Sequence, residues 1–251
     1  MKALKLVIIT LAIGISVNVP AQDSPRSIAP FNRIIASPRI HIILEEGDSE
    51  SVRLVSSNID ESKIHVEVRG KTLRLFLEDA RVTDKLERDE NGLKRSIYDG
   101  ANVTAYITYK NLEHLEIRGA QELTCLSPIR ADKKFKLKAY GENEINLISV
   151  RTDYLKTVMY GQNRLKIKGG KADYQKYKLY GENRIDATGM KSYSTSATSF
   201  GESTVRVHSQ NEVRITAFGD TRVSYTGDAF LSKGLIVGKT DISRHGRDED
   251  E

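Results

Sequence analysis

The chain has no tryptophan and a single cysteine, Cys125, so no internal disulfide can form, and stability must come from packing even in an oxidising compartment. After the first 21 residues no segment approaches the ~20 consecutive apolar residues that a membrane helix needs, so no later span is expected. No window carries a 3.6-residue apolar stripe, which excludes helical repeats. The five histidines, at 41, 65, 114, 208 and 245, lack metal-ligand spacing, and no metal or other cofactor is expected. The formal charge of +5 falls to +3 if Lys2 and Lys5 leave with a leader, too little and too dispersed for a nucleic-acid partner.

A leader is what the N-terminus resembles. Lys2 and Lys5 precede the apolar stretch 6–13, and Val19-Pro20-Ala21 offers a cleavage site before Gln22. Residues 1–21 are read as a secretory signal, and the mature chain as exported to the periplasm, the outer membrane surface or the medium. With 39% apolar and 29% charged residues, the remainder has the balance of a folded domain.

The dominant signal is an internal repeat. Arg118-Gly119-Ala120-Gln121, Tyr140-Gly141-Glu142-Asn143, Tyr160-Gly161-Gln162-Asn163, Tyr180-Gly181-Glu182-Asn183, Phe200-Gly201-Glu202-Ser203 and Phe218-Gly219-Asp220-Thr221 follow one another, with a degenerate copy at Val237-Gly238-Lys239-Thr240. The glycines lie 22, 20, 20, 20, 18 and 19 residues apart. Between them Tyr, Val, Ile, Thr and Lys alternate with period 2, so the units are strands. About 20 residues is too short for a propeller blade and suits one turn of a parallel β-helix, each rung ~4.8 Å from the last. The expected fold is all-β: a solenoid over 111–243.

Alternation assigns faces. Phe135, Leu137, Ala139, Gly141, Asn143, Ile145 and Leu147 share the inward parity; Lys136, Lys138, Tyr140, Glu142 and Glu144 face out. By this reading Gly141, Gly161 and Gly181 form an inward column at a tight bend, and Asn143, Asn163 and Asn183 a structural ladder of stacked amides. Next to them runs the aliphatic column Leu123, Ile145, Leu165, Ile185, Val205 and Val223, with Cys125 in the column beside it.

Two outward columns are candidate binding surfaces. Tyr140, Tyr160, Tyr180, Phe200 and Phe218 form an aromatic column that either stacks on itself or holds a ligand. Glu142, Glu182 and Glu202 lie beside Arg164, Arg184 and Arg222, as a mutually neutralising face or as a site for calcium or polysaccharide.

Residues 22–110 are expected to form an N-terminal β region whose small antiparallel sheet, over 31–77, caps the solenoid. Within this region 79–100 reads as a charged, exposed loop. The acidic end, 244–251, reads as disordered.

Three stretches together resemble the auto-transporter adhesin, head GIN domain family: Phe31-Asn32-Arg33-Ile34, Leu112-Glu113-His114-Leu115-Glu116-Ile117, and the serial Gly motif, across roughly 30–240. Many members of that family carry Ser-Gly-Ser-Gly where this chain has Tyr-Gly-Glu-Asn. The resemblance implies a right-handed β-helix and export, and brings no set of catalytic residues. No catalytic residue emerges from the sequence either. Gly201-Glu202-Ser203-Thr204-Val205 lacks the second glycine of a nucleophile elbow, and the charges form regular columns without a singular cluster. The expected function is therefore non-enzymatic binding of a cell-surface protein or glycan. The alternatives are a structural envelope protein and a polysaccharide-active β-helix enzyme.

Overall fold

A computed structural model describes residues 24–245. The expected leader, residues 1–21, and the tail beyond His245 lie outside the described residues. The strands are, in order, β1 (Arg26–Ser27), β2 (Arg33–Ala36), β3 (Ile40–Glu46), β4 (Ser51–Ser57), β5 (Ile64–Arg69), β6 (Thr72–Leu77), β7 (Leu86–Arg88), β8 (Lys94–Ser96), β9 (Asn102–Tyr109), β10 (His114–Cys125), β11 (Ile129–Leu147), β12 (Val150–Ile167), β13 (Gly170–Phe200), β14 (Ser203–Phe218), β15 (Thr221–Thr226), β16 (Phe230–Val237) and β17 (Thr240–Arg244).

From β10 onward every pairing is parallel, giving a β-solenoid of about seven turns. Register follows the repeat: Gly119, Gly141, Gly161 and Gly181 are successive Cα partners, as are Gln121, Asn143, Asn163 and Asn183. The aliphatic positions fill a continuous interior in which Leu123, Ile145, Ile185 and Val205 are fully buried. Cys125 is buried there against the Tyr109 hydroxyl, 3.5 Å away, and burial raises its thiol pKa. The interior also holds a polar insertion. Tyr177 stands in register with Leu137 and Thr157, fully buried, its hydroxyl donating to Gln175 Oε1 at 2.6 Å.

The glycine column is not inward. Gly141, Gly161 and Gly181 are exposed at a corner, with φ of 104°, 101° and 98°. That left-handed conformation turns the chain between two faces of the solenoid, so parity alone misplaces the α-carbon at the bend. The corner needs glycine twice over. A side chain would be strained at this φ, and a Cβ on Gly181 would stand 2.6 Å from the Gly161 carbonyl oxygen one rung below.

Behind the corner the three asparagines stack. Asn143 Nδ2 donates to Asn163 Oδ1 at 2.8 Å, and Asn163 Nδ2 to Asn183 Oδ1 at 3.0 Å. Each Nδ2 also donates to the carbonyl three residues upstream, of Tyr140, Tyr160 or Tyr180, at 3.1 Å. One amide thus closes the corner within a rung and ties it to the next. The buried Gln121, Ser203 and Thr221 continue the column but make no such bond. Glutamine is one methylene too long for the register, and a hydroxyl too short to span ~4.8 Å.

The N-terminal region departs from the expected antiparallel sheet. β2 and β3 pair parallel with the two halves of β10, so 33–46 is itself a rung. Pro38 fills the corner, and Arg39 takes the left-handed conformation at φ 70°. β6 and β9 pair parallel with β2 and β3 and form another rung beyond it, whose corner is replaced by the insertion 78–101. Antiparallel pairing is confined to β4 on β9, β5 on β6, β1 on β4 and the small β7–β8 hairpin inside the insertion. The insertion is not a bare loop: Ala80, Ser96 and Tyr98 are buried, and Asp84 bonds Arg39 and Ser96. At the other end, Arg244, placed by sequence in the disordered tail, belongs to β17 and pairs with Tyr225.

Where rung 33–46 meets β10, Glu116 is buried among His114, Arg118 and Lys138, with Arg118 Nε at 2.9 Å and Lys138 Nζ at 3.2 Å. Burial alone would raise the Glu116 carboxyl, but these cations hold it below the ordinary carboxylate range. Burial depresses His114 to a pKa of about 4, the attraction of Glu116 being outweighed by burial together with Lys136, Lys138 and Arg33.

Gly161→Ala should lower unfolding free energy by about 2–4 kcal/mol, through strain at positive φ and the clash with Gly141. Asn163→Ala should cost about 1–3 kcal/mol, by orphaning the buried amides on either side. Denaturant midpoints for both variants that match wild type would exclude this account of the corner. In acid, the unfolded chain takes up a proton on His114 near pH 6.5 while the folded chain resists to about 4. Stability should therefore be complete above pH 6.5 and fall by about 3 kcal/mol as pH drops from there to 4, with Glu116 adding a further loss below. His114→Gln should flatten the 6.5-to-4 segment when unfolding is measured across that range.

Candidate functional site

The corner that glycine creates leaves a groove along the solenoid axis, about 860 Å³ in volume. Its floor is the amide column, Gln121 through Thr221. One wall carries Glu142, Gln162, Glu182, Glu202 and Asp220; the other carries Glu144, Arg164, Arg184, Thr204 and Arg222. The structure therefore brings all six sequence-nominated charged residues into one feature. Within a rung the two walls are two residues apart on an extended chain, ~6.5–7 Å, with a buried amide between them.

That separation decides the electrostatics. Neutralisation across the columns was one expectation, yet among the described residues Glu142, Glu182, Glu202, Arg164, Arg184 and Arg222 form no ion pair within 4.0 Å. The walls hold opposite charges apart, each free to hydrogen-bond something lying between. His41 closes the N-terminal end of the groove, its Nδ1 accepting from the Glu122 amide at 3.2 Å.

The aromatic column lies just before the corner. Its rings stack in one ladder, with centroids of Tyr140–Tyr160, Tyr160–Tyr180, Tyr180–Phe200 and Phe200–Phe218 separated by 5.3, 4.5, 5.1 and 4.7 Å and planes within 4° of parallel. Each face is covered by the next ring, so only edges and tyrosine hydroxyls point outward. Such a ladder gives the groove a stiff shoulder; a sugar ring, which stacks on an aromatic face, finds none exposed between the rungs.

A second ladder, Tyr154 on Tyr174 at 5.5 Å, was not found from the sequence. It lies on the glycine side of the register shift between Ala131 and Lys134, at the same offset before Gly161 and Gly181, so counting back from the glycine reaches it in phase. The spacing of Tyr154 and Tyr174, one 20-residue period apart, was the available signal. No group of three His, Cys, Asp or Glu side chains among the described residues stands close enough to hold a metal ion, and no described helix is long and apolar enough to cross a membrane.

Solved structures share this architecture. A "putative adhesin" of Bacteroides fragilis NCTC 9343 superposes with a TM-score of 0.73 at 16% identity, over 88% of this chain and 95% of that one. A "putative adhesin" of Parabacteroides distasonis ATCC 8503 gives 0.65 at 17%, over 88% and 95%. A "putative lipid binding protein" of the same organism gives 0.61 at 13%, over 90% and 98%. At these identities the likeness establishes the fold. No curated protein matches the chain. The sequence pattern of one family spans residues 30–229, most of the solenoid and its N-terminal rungs, and the chain thus belongs to the family described as "Putative auto-transporter adhesin, head GIN domain".

Proposed function

We propose that the chain is an exported, adhesin-like binding module that holds an extended, hydroxyl-rich glycan along the corner groove, without chemical turnover. The observation that carries the reading is the pair of walls without ion pairs, Glu142, Glu182, Glu202 and Asp220 on one side and Arg164, Arg184 and Arg222, with Glu144 and Thr204 among them, on the other, over a polar floor. A ligand lying between them meets acceptors on one edge and donors on the other, which suits a chain of hydroxyls better than a polymer of one charge. Family membership supports an adhesin-like role and a place at the cell surface or beyond it. The regular charge columns favour binding over catalysis, which needs one singular constellation in place of the same arrangement repeated rung by rung.

An array of neutral and zwitterionic glycans, probed with the chain from Gln22 onward, should give a defined set of hits. Replacing Glu182 by Gln and Arg184 by Gln together should weaken those hits about tenfold or more, with little change in melting temperature, because neither side chain is ion-paired in the fold. An array with no enriched glycan, or hits unmoved by the double variant, would overturn the reading.

A further inference from the structure

The face that precedes the corner carries a different chemistry. On it, outward residues of three adjacent rungs form a lattice: Lys134, Lys136, Lys138 and Tyr140; then Tyr154, Lys156, Val158 and Tyr160; then Tyr174, Lys176, Lys178 and Tyr180. Rungs stack at ~4.8 Å and outward neighbours within a strand stand ~6.5–7 Å apart, so six ammonium groups share a patch three rungs deep and three outward positions wide. Five of the six, all but Lys134, are half-buried.

Almost nothing on the protein compensates them. Lys138 reaches Glu116, which Arg118 already holds. Lys134 lies 5.4 Å from the Tyr154 ring centre. Lys136, Lys156, Lys176 and Lys178 have no ion pair within 4.0 Å among the described residues. The other nearby carboxylates, Glu113, Asp132, Asp153 and Asp173, are exposed at the edge of the face and make no ion pair with the lattice within 4.0 Å among the described residues. The mutual repulsion is visible in the lysines themselves. Burial, with the surrounding ammonium groups next, lowers the pKa of Lys136 and of Lys156. The next rung on the C-terminal side replaces the lattice with Ser196 and Thr198, and the one after it carries Arg214 paired with Glu212, so the uncompensated accumulation is local.

We infer that this lysine lattice is a second docking surface, separate from the groove, that takes a linear acidic polysaccharide bearing a carboxylate or sulfate on each sugar. Charge complementarity commits the partner to a polyanion. The geometry commits it further, because Lys136, Lys156 and Lys176 form a straight file of single cations at the rung spacing, close to the rise per residue of an extended pyranose chain. A polymer running along the axis meets one ammonium per sugar, with Lys138 and Lys178 on one flank. The tyrosine edges and hydroxyls border the strip and supply donors to sugar oxygens. Val158 interrupts the flanking file only, leaving the central one complete.

The test uses the chain from Gln22 onward with alginate, a linear polyuronate, and dextran as the uncharged control. The chain should bind alginate, ignore dextran and release alginate as sodium chloride is raised. Lys136→Gln, Lys156→Gln and Lys176→Gln combined should weaken binding by roughly tenfold or more, three charge contacts having been removed. Its melting temperature should be equal or higher, since repulsion has been relieved. The same three positions as arginine should retain binding. Alginate affinity unchanged in the glutamine variant would overturn the inference, as would an equal loss from Arg164→Gln with Arg184→Gln, which lowers net charge in the groove instead. So would binding to vesicles containing phosphatidylglycerol but not to alginate. Failure of the glycan array leaves this result untouched, because the two surfaces are probed by different ligands and different variants.

Discussion

The close approach of backbones at the glycine corner is the contact on which the rest of the molecule depends. From Gly141 onward, each corner glycine lies where an added Cβ would clash with the carbonyl oxygen of the glycine one rung below, at 2.8 Å or less. Stacking at that distance fixes the rungs in register, and register turns a residue choice made once per repeat into a column. The amide ladder, the aromatic ladder and the groove walls are all consequences. A rung displaced by one residue would set Asn163 against Glu142 or Glu144 and invert inside and outside together. The asparagine amide reinforces the corner because it spends one hydrogen on its own turn and the other on the next.

This explains which parts could be read from sequence. Wherever the glycine recurs, phase is known, and column membership follows by counting: Cys125 beside the aliphatic file, Asn163 between two asparagines, Tyr160 between two rings. Phase is lost where the marker is absent. Rungs 33–46 and 72–109 carry no motif, because Pro38 with Arg39 turns one corner and a 24-residue insertion, 78–101, occupies the other. Their stacking order also breaks chain order, since 33–46 lies between 72–109 and 114–125, which no local periodicity encodes. The glycines themselves were misplaced because alternation assumes an extended chain, and φ near +100° is not extended.

The candidate sites divide along the same line. That Glu142, Glu182 and Glu202 share a column with Arg164, Arg184 and Arg222 alongside was legible. That the two columns flank a recessed amide and stay apart required the corner's shape. Likewise the outward lysines were visible one rung at a time, but their accumulation into a lattice emerges only when Lys136, Lys156 and Lys176 are set side by side across three rungs.

The lysine lattice also shows what a solenoid can tolerate that a compact domain cannot. In such stacks stability is close to a sum of each rung and its contacts with its neighbours, so a strained face on three rungs weakens those interfaces without loosening the others. The cost is offset in the same rungs, because Lys136 and Lys156 stand on strands whose inward residues Phe135, Leu137, Leu155 and Met159 are fully buried and whose corners carry the amide bonds. Like charges repeated at rung spacing repel in every pair, and that repulsion is reduced when a partner supplies the opposite charge at the same spacing. A periodic fold of this kind presents a matching period to whatever lies along it, and a linear polymer is the class of molecule that has one.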